Sequence, residues 1–420
     1  MDTSSKPAEK LWNKNFFLLW QGQLVSVLGD VIYIIALDFW ILEITGSTAL
    51  MGLLSALTMA PRIVLGPFAG VFVDRWDRKK IIVITDFIRG IFVTFVGIAA
   101  LNGFIQVWMV FIIGISNGIC SAFFNPAIIS SRPDIVPESK LVKANSLTSL
   151  AQSSMDMIGN AIGGVLYVTI GAPYMFLFNG ISYLFSAFTE MFITIPKIER
   201  KNNQITFIED FKEGFKFLWN FKVLRNMFVC ASLLNFFFNS AGILFVPYFK
   251  EMPFLGVSRY GFAMTVLAMG AMSGSILLSM INLKREHKFN IFRLAIICQS
   301  ILIILFMLSN NYPLMLVMIF TTFVCNVCVN TIASTAMMSV VPSEIRGKVM
   351  AITSTVSMGL TPIGQLIGGV LGELLPIRMV MIGLFTCALI CALVNIRVKN
   401  LRKFIEFESQ RDSVEELMKC

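Results

Sequence analysis

The sequence predicts an all-α membrane protein of twelve transmembrane helices arranged in two six-helix bundles, and three observations predict it. Hydrophobic residues fill 56% of the 420 positions and charged residues only 14%, against about a quarter charged in soluble chains. Thirty-eight Phe and 24 Met cannot all be enclosed in a water-surrounded core with so little polar surface to cover it; mean hydropathy is +0.77. The apolar segments run about 20 residues or more, the length a helix needs to cross the bilayer core, and not the roughly 10-residue alternating strands of an outer-membrane barrel. Finally, the second half of the chain repeats the first at a fixed offset.

Taken in order, the spans fall near 16–42, 48–73, 81–101, 105–131, 144–170 and 173–195, then near 226–249, 258–283, 289–308, 312–340, 347–374 and 377–397. The first has no small-residue cleavage site and exceeds a signal-peptide core, so it is expected to remain as a span. Ile162-Gly163-Gly164-Val165-Leu166 returns as Ile367-Gly368-Gly369-Val370-Leu371, 205 positions later. At the same offset Val136-Pro137 matches Val341-Pro342, Gly159 matches Gly364, and Lys79-Lys80 matches Lys284-Arg285. Six spans per half preserve orientation, so the halves form a parallel pseudo-repeat, the arrangement of secondary transporters with a central site between two bundles. The expected domains are a first bundle over 1–195, a linker over 196–225, a second bundle over 226–398 and a tail over 399–420.

In the linker, Ile208, Phe211, Phe215 and Leu218 recur at helical spacing, while Glu209, Lys212, Glu213 and Lys216 take other faces. With Phe217, Trp219 and Phe221 adding aromatic area, this reads as an amphipathic helix lying on the membrane surface.

The net charge of +9 would suggest a polyanion partner until the cations are placed. Most of the Lys and Arg fall in the even-numbered connections and the tails, such as Lys6, Lys10 and Lys14, then Arg75, Arg78, Lys79 and Lys80, then Lys284, Arg285 and Lys288. The odd-numbered connections hold Lys250, Arg259 and Arg378. Cytoplasmic loops carry the Lys/Arg excess, so both termini are expected in the cytoplasm and the membrane is expected to be the inner (plasma) membrane. The basic balance is then a topology signal, and no nucleic-acid partner is expected.

Eight cysteines form no disulfide pattern: Cys120, Cys230, Cys298, Cys325, Cys328, Cys387 and Cys391 lie within spans and Cys420 ends the chain. Cys325-x-x-Cys328 has redox or zinc spacing but sits mid-span without further ligands, and His287 is the single histidine. No metal, cofactor or catalytic residue is expected. No Gly-x4-Gly-Lys-Ser/Thr loop occurs, which excludes an ATP-hydrolysing domain within the sequence. Uphill movement of a solute would have to draw on an ion gradient or the membrane potential.

After the second span the chain reads Gly66-Pro67-Phe68-Ala69-Gly70-Val71-Phe72-Val73-Asp74-Arg75-Trp76-Asp77-Arg78-Lys79-Lys80. This resembles the major facilitator superfamily, whose signature there is Gly-x3-Asp-Arg-x-Gly-Arg-Arg/Lys. The match holds at Gly70, Asp74, Arg75, Arg78, Lys79 and Lys80, with Asp77 in place of the usual Gly. An acid at the end of a span can meet the positive N-terminus of a neighbouring helix or an Arg and latch one state. Gly70, Asp74, Arg75 and Arg78 are the expected cytoplasmic gate. The repeat has Ser279 where the first half has Asp74.

More of the chain is similar to the macrolide-efflux-like drug transporters. Leu19-Trp20-Gln21-Gly22-Gln23 with Ser26, Gly29 and Asp30, Asp86-Phe87-Ile88-Arg89, Asn125-Pro126-Ala127 and Ala144-Asn145-Ser146-Leu147 carry this. The resemblance implies the major facilitator fold and an exporter of amphipathic compounds, driven by proton antiport through alternating access. Two positions depart from the antiporter pattern: the fourth span lacks its Arg, and Asn160 replaces the Pro of the fifth-span signature.

Ionisable groups in lipid are costly and therefore candidates for function. They crowd the first half: Asp30, Asp38, Arg62, Asp86, Arg89, Asp156 and Glu190. In the second half Asn235, Asn239, Gln299, Asn326 and Asn330 stand in their place. Equal depth suggests a pair between Asp30 and Arg62, and three-residue spacing suggests one between Asp86 and Arg89. Asp156, with no basic residue evident nearby, is the expected proton carrier, and Asp30 is second. Tyr33, Trp40, Met59, Asn235, Phe236 and Asn239, with Phe237 and Phe238, are the expected wall of the substrate cavity, where aromatic and thioether side chains repack around bulky ligands. The expected partners are a small amphipathic substrate, protons and the bilayer, around a monomer. A siderophore or lysophospholipid exporter of the same fold, and a non-transporting membrane sensor or scaffold, are the alternatives.

Overall fold

The computed structural model describes residues 10–195, 207–281, 283–408 and 412. Helices account for its regular structure, with no strand among the described residues. In chain order they are α1 (Lys14–Thr45), α2 (Thr48–Arg75), α3 (Arg78–Leu101), α4 (Val107–Ile135), α5 (Leu141–Thr169), α6 (Gly171–Glu190), α7 (Phe207–Asn220), α8 (Lys222–Gly242), α9 (Phe245–Glu251), α10 (Val257–Met280), α11 (Arg285–Leu308), α12 (Tyr312–Val340), α13 (Ser343–Gly359), α14 (Thr361–Leu374), α15 (Ile377–Ile396) and α16 (Leu401–Ile405).

Helix ends follow local chemistry. Asn13 caps α1 by accepting from the Phe16 amide, and Gly46, at φ 66°, closes that helix in the left-handed conformation that glycine adopts without a Cβ penalty. One residue later Ser47 caps α2 by accepting from the Leu50 amide. Asp77 accepts from the Lys80 amide at 3.3 Å and so caps α3. That role gives a physical reason for an aspartate where the family signature has glycine.

Among the described residues, nine helical segments are long and apolar enough to cross a membrane: α1, α2 over Thr48–Gly66, α3, α4, α8 with α9, α10, α11, α12 and α15. The other three expected spans are helical as well. Two of them, α5 and α6, interleave Ser, Thr, Asn and Gln with their apolar residues, and the third is split into α13 and α14 at Leu360. A helix therefore stands at each of the twelve expected positions among the described residues.

Two compact units divide the chain: Met1–Asn202 with Gly256–Thr265, and Asn203–Leu255 with Val266–Cys420. In the first unit α3 packs most extensively on α6, α1 lies on α6 and α5, and α4 packs on α2 and α3. In the second, α11 packs on α15 and α12, and α8 on α15 and α14. At the repeat offset four of the five pairings recur: α3–α6 as α11–α15, α1–α6 as α8–α15, α1–α5 as α8–α14 and α3–α4 as α11–α12.

The α3–α6 interface explains its own tightness. A Cβ placed at Gly180 would lie 2.5 Å from the backbone nitrogen of Thr94, and one at Gly90 would lie 2.7 Å from the Leu184 side chain. Glycine lets the two backbones approach, which in lipid is a main source of helix association.

Of the expected linker, positions 196–206 lie outside the described residues, as do the side chains of Ile208, Glu209 and Phe211 and the cysteine at 420. Within α7, Leu218 is buried in the second unit's core beside Phe221, Leu224 and Phe404. Lys348 of α13 bonds Glu213 at 2.6 Å. The helix docks on protein along that face, while Phe215 and Trp219 stack with ring centroids 5.7 Å apart and stay exposed.

Candidate functional site

The polar residues of the first unit converge where α1, α3, α4 and α6 meet. On α6, Asn179, Tyr183, Ser186 and Glu190 are spaced four, three and four apart, so they form one stripe down a single helix face. Around that stripe stand Asp30 of α1, Asp86 and Arg89 of α3, and Ser121 of α4. Tyr183 Oη donates to Asp30 Oδ1, and Asn179 Nδ2 donates to the same oxygen at 3.5 Å. Arg89 faces Asp86 Oδ1 at 3.5 Å and donates to Ser121 Oγ at 2.9 Å. Its guanidinium also sits over the Phe124 ring at 4.9 Å and the Tyr183 ring at 5.5 Å. Asp86, Arg89 and Glu190 are 0%, 4% and 1% exposed. Asp86 and Arg89 offset one another's charge, which matters because the penalty for removing a lone charge from water is large.

The pairing of Asp86 with Arg89 is present. The pairing of Asp30 with Arg62 is not: Arg62 is exposed on α2 and makes no ion pair with Asp30 among the described residues. The donors to Asp30 come instead from α6, as Tyr183 and Asn179. Asp156 is also corrected. It is exposed on α5 rather than buried, although its charge reaches Asp30.

The aromatic wall is redistributed in the same way. Tyr33 and Trp40 are buried in the first unit's core, with rings 5.4 and 6.3 Å from that of Phe176. They face α6, which removes them from an open cavity wall. Met59 is half-buried on α2. On α8, Asn235, Phe236 and Asn239 are half-buried; Asn239 Nδ2 donates back to the Asn235 carbonyl at 2.8 Å, and Phe236 meets Phe237 edge-on at 5.2 Å.

The expected gate lies where α2 gives way to α3. The Asp74 side chain is outside the described residues; Gly70 is half-buried and Arg75 exposed. Arg78 pairs with Asp134 and donates to the Ser130 carbonyl at 2.9 Å, tying the start of α3 to the last turns of α4. It therefore locks α3 to α4 inside the first unit. Tyr183, Asn179, Ser186 and Ser121 went unnoticed in the sequence, although the four-three-four polar spacing on α6 is visible there.

Long apolar helices in two units, with an ionisable cluster buried among the first unit's helices, are the features of a multi-pass membrane protein. Residues 19–364 match the Major Facilitator Superfamily, and the chain belongs to that family; it is a transporter, not an enzyme. Macrolide efflux protein A of Streptococcus pyogenes is 29% identical over 270 residues, 63% of this chain and 67% of that one. Multidrug efflux pump Tap of Mycobacterium bovis (strain BCG / Pasteur 1173P2) is 20% identical over 397 residues, 92% of this chain and 94% of its own. Among solved structures, the nucleoside transporter NupG matches with a TM-score of 0.76 at 12% identity, covering 92% of this chain and all of that one. A bacterial homologue of the iron transporter ferroportin in an inward-facing state gives 0.67 at 17% identity, over 91% and 97%. These two likenesses show the fold.

Proposed function

We propose that this protein is a secondary active exporter of amphipathic small molecules, macrolide-like drugs among them, that exchanges its substrate for protons by alternating access. The observation that carries the reading is the Asp30–Asp86–Arg89 cluster, which keeps Asp86 and Arg89 buried and Asp30 half-buried in spans where apolar packing would cost less. The likeness to macrolide and multidrug efflux proteins supports the substrate class. Residues near Gly70, Asp74, Arg75 and Arg78 act as a gate, and Met59, Asn235, Phe236 and Asn239 contact substrate. The protein works as a monomer in the plasma membrane, with both termini cytoplasmic.

Proteoliposomes holding a pH-sensitive dye test this reading. Erythromycin added to wild-type vesicles should move protons, and an imposed pH difference should concentrate erythromycin against its gradient. Asp74→Asn should cut transport while leaving equilibrium drug binding nearly unchanged. No drug-dependent proton movement across cationic, neutral and anionic compounds would reject antiport.

A further inference from the structure

The buried cluster holds more acid than base. Asp30, Asp86 and Glu190 bring three carboxyls, and Arg89 is the single cation among them. From the surrounding helices the facing titratable groups are Tyr183 on α6, Tyr33 on α1, Cys120 on α4 and the more distant Asp156 on α5, none of them cationic. If all three carboxyls were ionised, two negative charges would stand in protein at membrane depth without a counter-ion, which is far more costly than binding protons there.

The hydrogen bonds indicate where protons are held. Asp30 accepts from Tyr183 and Asn179, which suits a carboxylate. Asp86 uses Oδ1 toward Arg89, and its Oδ2 has no hydrogen-bond partner. Both oxygens of Glu190 and the hydroxyl of Ser186 also lack partners of good geometry. These four unpartnered oxygens are neighbours: Ser186 lies beside both carboxyls, and the charges of Asp86 and Glu190 reach one another. Buried polar atoms are nearly always satisfied. A run of orphans from one acid through a hydroxyl to a second acid is therefore a feature to explain.

We propose that Asp86, Ser186 and Glu190 form a proton relay inside the first bundle, with Glu190 as its port and Arg89 as the group that changes partner when the proton moves. The proposal rests on the antiport reading and names its carriers. A proton held on Asp86 Oδ2 passes to Ser186 Oγ as the serine gives its own hydroxyl proton to Glu190. One O–H bond breaks and one forms at each transfer, and no oxidation is involved. Asp86 becomes a carboxylate and holds Arg89; when Asp86 is protonated, Arg89 turns to Asp30 alone. Charge movement is thereby linked to the electrostatic attraction between Arg89 of α3 and Asp30 of α1.

The placement fits a port. From Asn179, level with Asp30 halfway along α1, to Glu190 is 11 residues, about 16 Å of helix. Glu190 ends α6 at the end of the bundle where Asn15 of α1 donates to the Thr194 carbonyl, the end that the Lys/Arg distribution assigns to the cytoplasm. Protons driving export would leave there.

Infrared spectroscopy of the full protein in lipid vesicles, without drug, tests the relay with the proton itself as probe. Wild type should show a protonated-carboxyl band that shifts in D2O and titrates with pH. Glu190→Gln should remove part of it, Asp86→Asn should remove or move another part, and the exposed Glu138→Gln should change nothing. Should Glu190→Gln fail to fold, Glu190→Asp decides the matter, because a relay predicts a displaced titration midpoint and a purely structural role predicts none. A band unaltered by substitution at Glu190 overturns the proposal. In proteoliposomes, wild-type coupling that persists undiminished in Glu190→Gln overturns the relay alone, whereas wild-type vesicles with no erythromycin-linked proton movement overturn the antiport reading itself.

Discussion

Tyr183 of α6 donates its hydroxyl proton to the carboxylate of Asp30 on α1, a hydrogen bond between residues 153 positions apart. It fixes the azimuth of α1 against α6, since Asn179, one turn earlier on the same stripe, donates to the same oxygen. The same phenol ring lies beside the Arg89 guanidinium, so one side chain touches both signs of the cluster.

Tyr183→Phe removes the principal donor to Asp30 and should cost about 1–3 kcal/mol, the price of leaving a buried acceptor underserved. The loss should appear as a lower unfolding temperature in detergent. Combined with Asp30→Asn, the two losses should be clearly less than additive. Arg62→Gln should leave the unfolding temperature unchanged; a drop as large as that of Tyr183→Phe would restore the Asp30–Arg62 pair.

Arg89→Gln leaves Asp86 enclosed and without its cation. Breaking one side of a buried pair typically costs about 3–5 kcal/mol, and neutralising both sides costs much less. The double variant Asp86→Asn with Arg89→Gln should therefore unfold at a higher temperature than Arg89→Gln alone. The reverse order would show that Arg89 is held by Phe124, Tyr183 and Ser121 rather than by the acid.

Backbone proximity predicts the response of Gly180. Gly180→Ala places a Cβ 2.5 Å from the Thr94 nitrogen, a group that cannot swing aside, so α3 and α6 must separate. Overpacking of this kind costs about 1–3 kcal/mol. At Gly242 nothing lies within 4 Å of the added atom, and Gly242→Ala should be tolerated in the same thermal assay.

Capping accounts for Asp77. Asp77→Ala should destabilise the start of α3 by about 1 kcal/mol, and Asp77→Gly, the residue of the family signature, by only a few tenths. Equal losses in the two variants, read by hydrogen exchange at the Lys79 and Lys80 amides, would mean that the aspartate serves the charge pattern and not the cap.

By itself the sequence determined the membrane class, the positions of the spans, the duplication and the concentration of charge in the first half. Each of these depends on local composition or on a match along the chain. Lipid length sets the span, and repeated residues report themselves. It also determined the Asp86–Arg89 pair, because three-residue spacing on a helix puts both on one face.

Only the tertiary structure decided which faces meet. Depth can be read from residue number, at about 1.5 Å per position, and depth alone suggested Asp30 with Arg62. Azimuth cannot be read in the same way. In water, a polar face marks the outside of a helix, but in a bilayer the outward face is as apolar as the packed one, so hydrophobicity gives no bearing. For that reason Tyr33 and Trp40, expected in an open cavity wall, turn inward onto Phe176, and Asp156, expected to be buried, is exposed. Close approach at Gly90 and Gly180 selects the α3–α6 contact, and that contact, more than any single motif, carries Tyr183, Ser186 and Glu190 to the charges of α1 and α3.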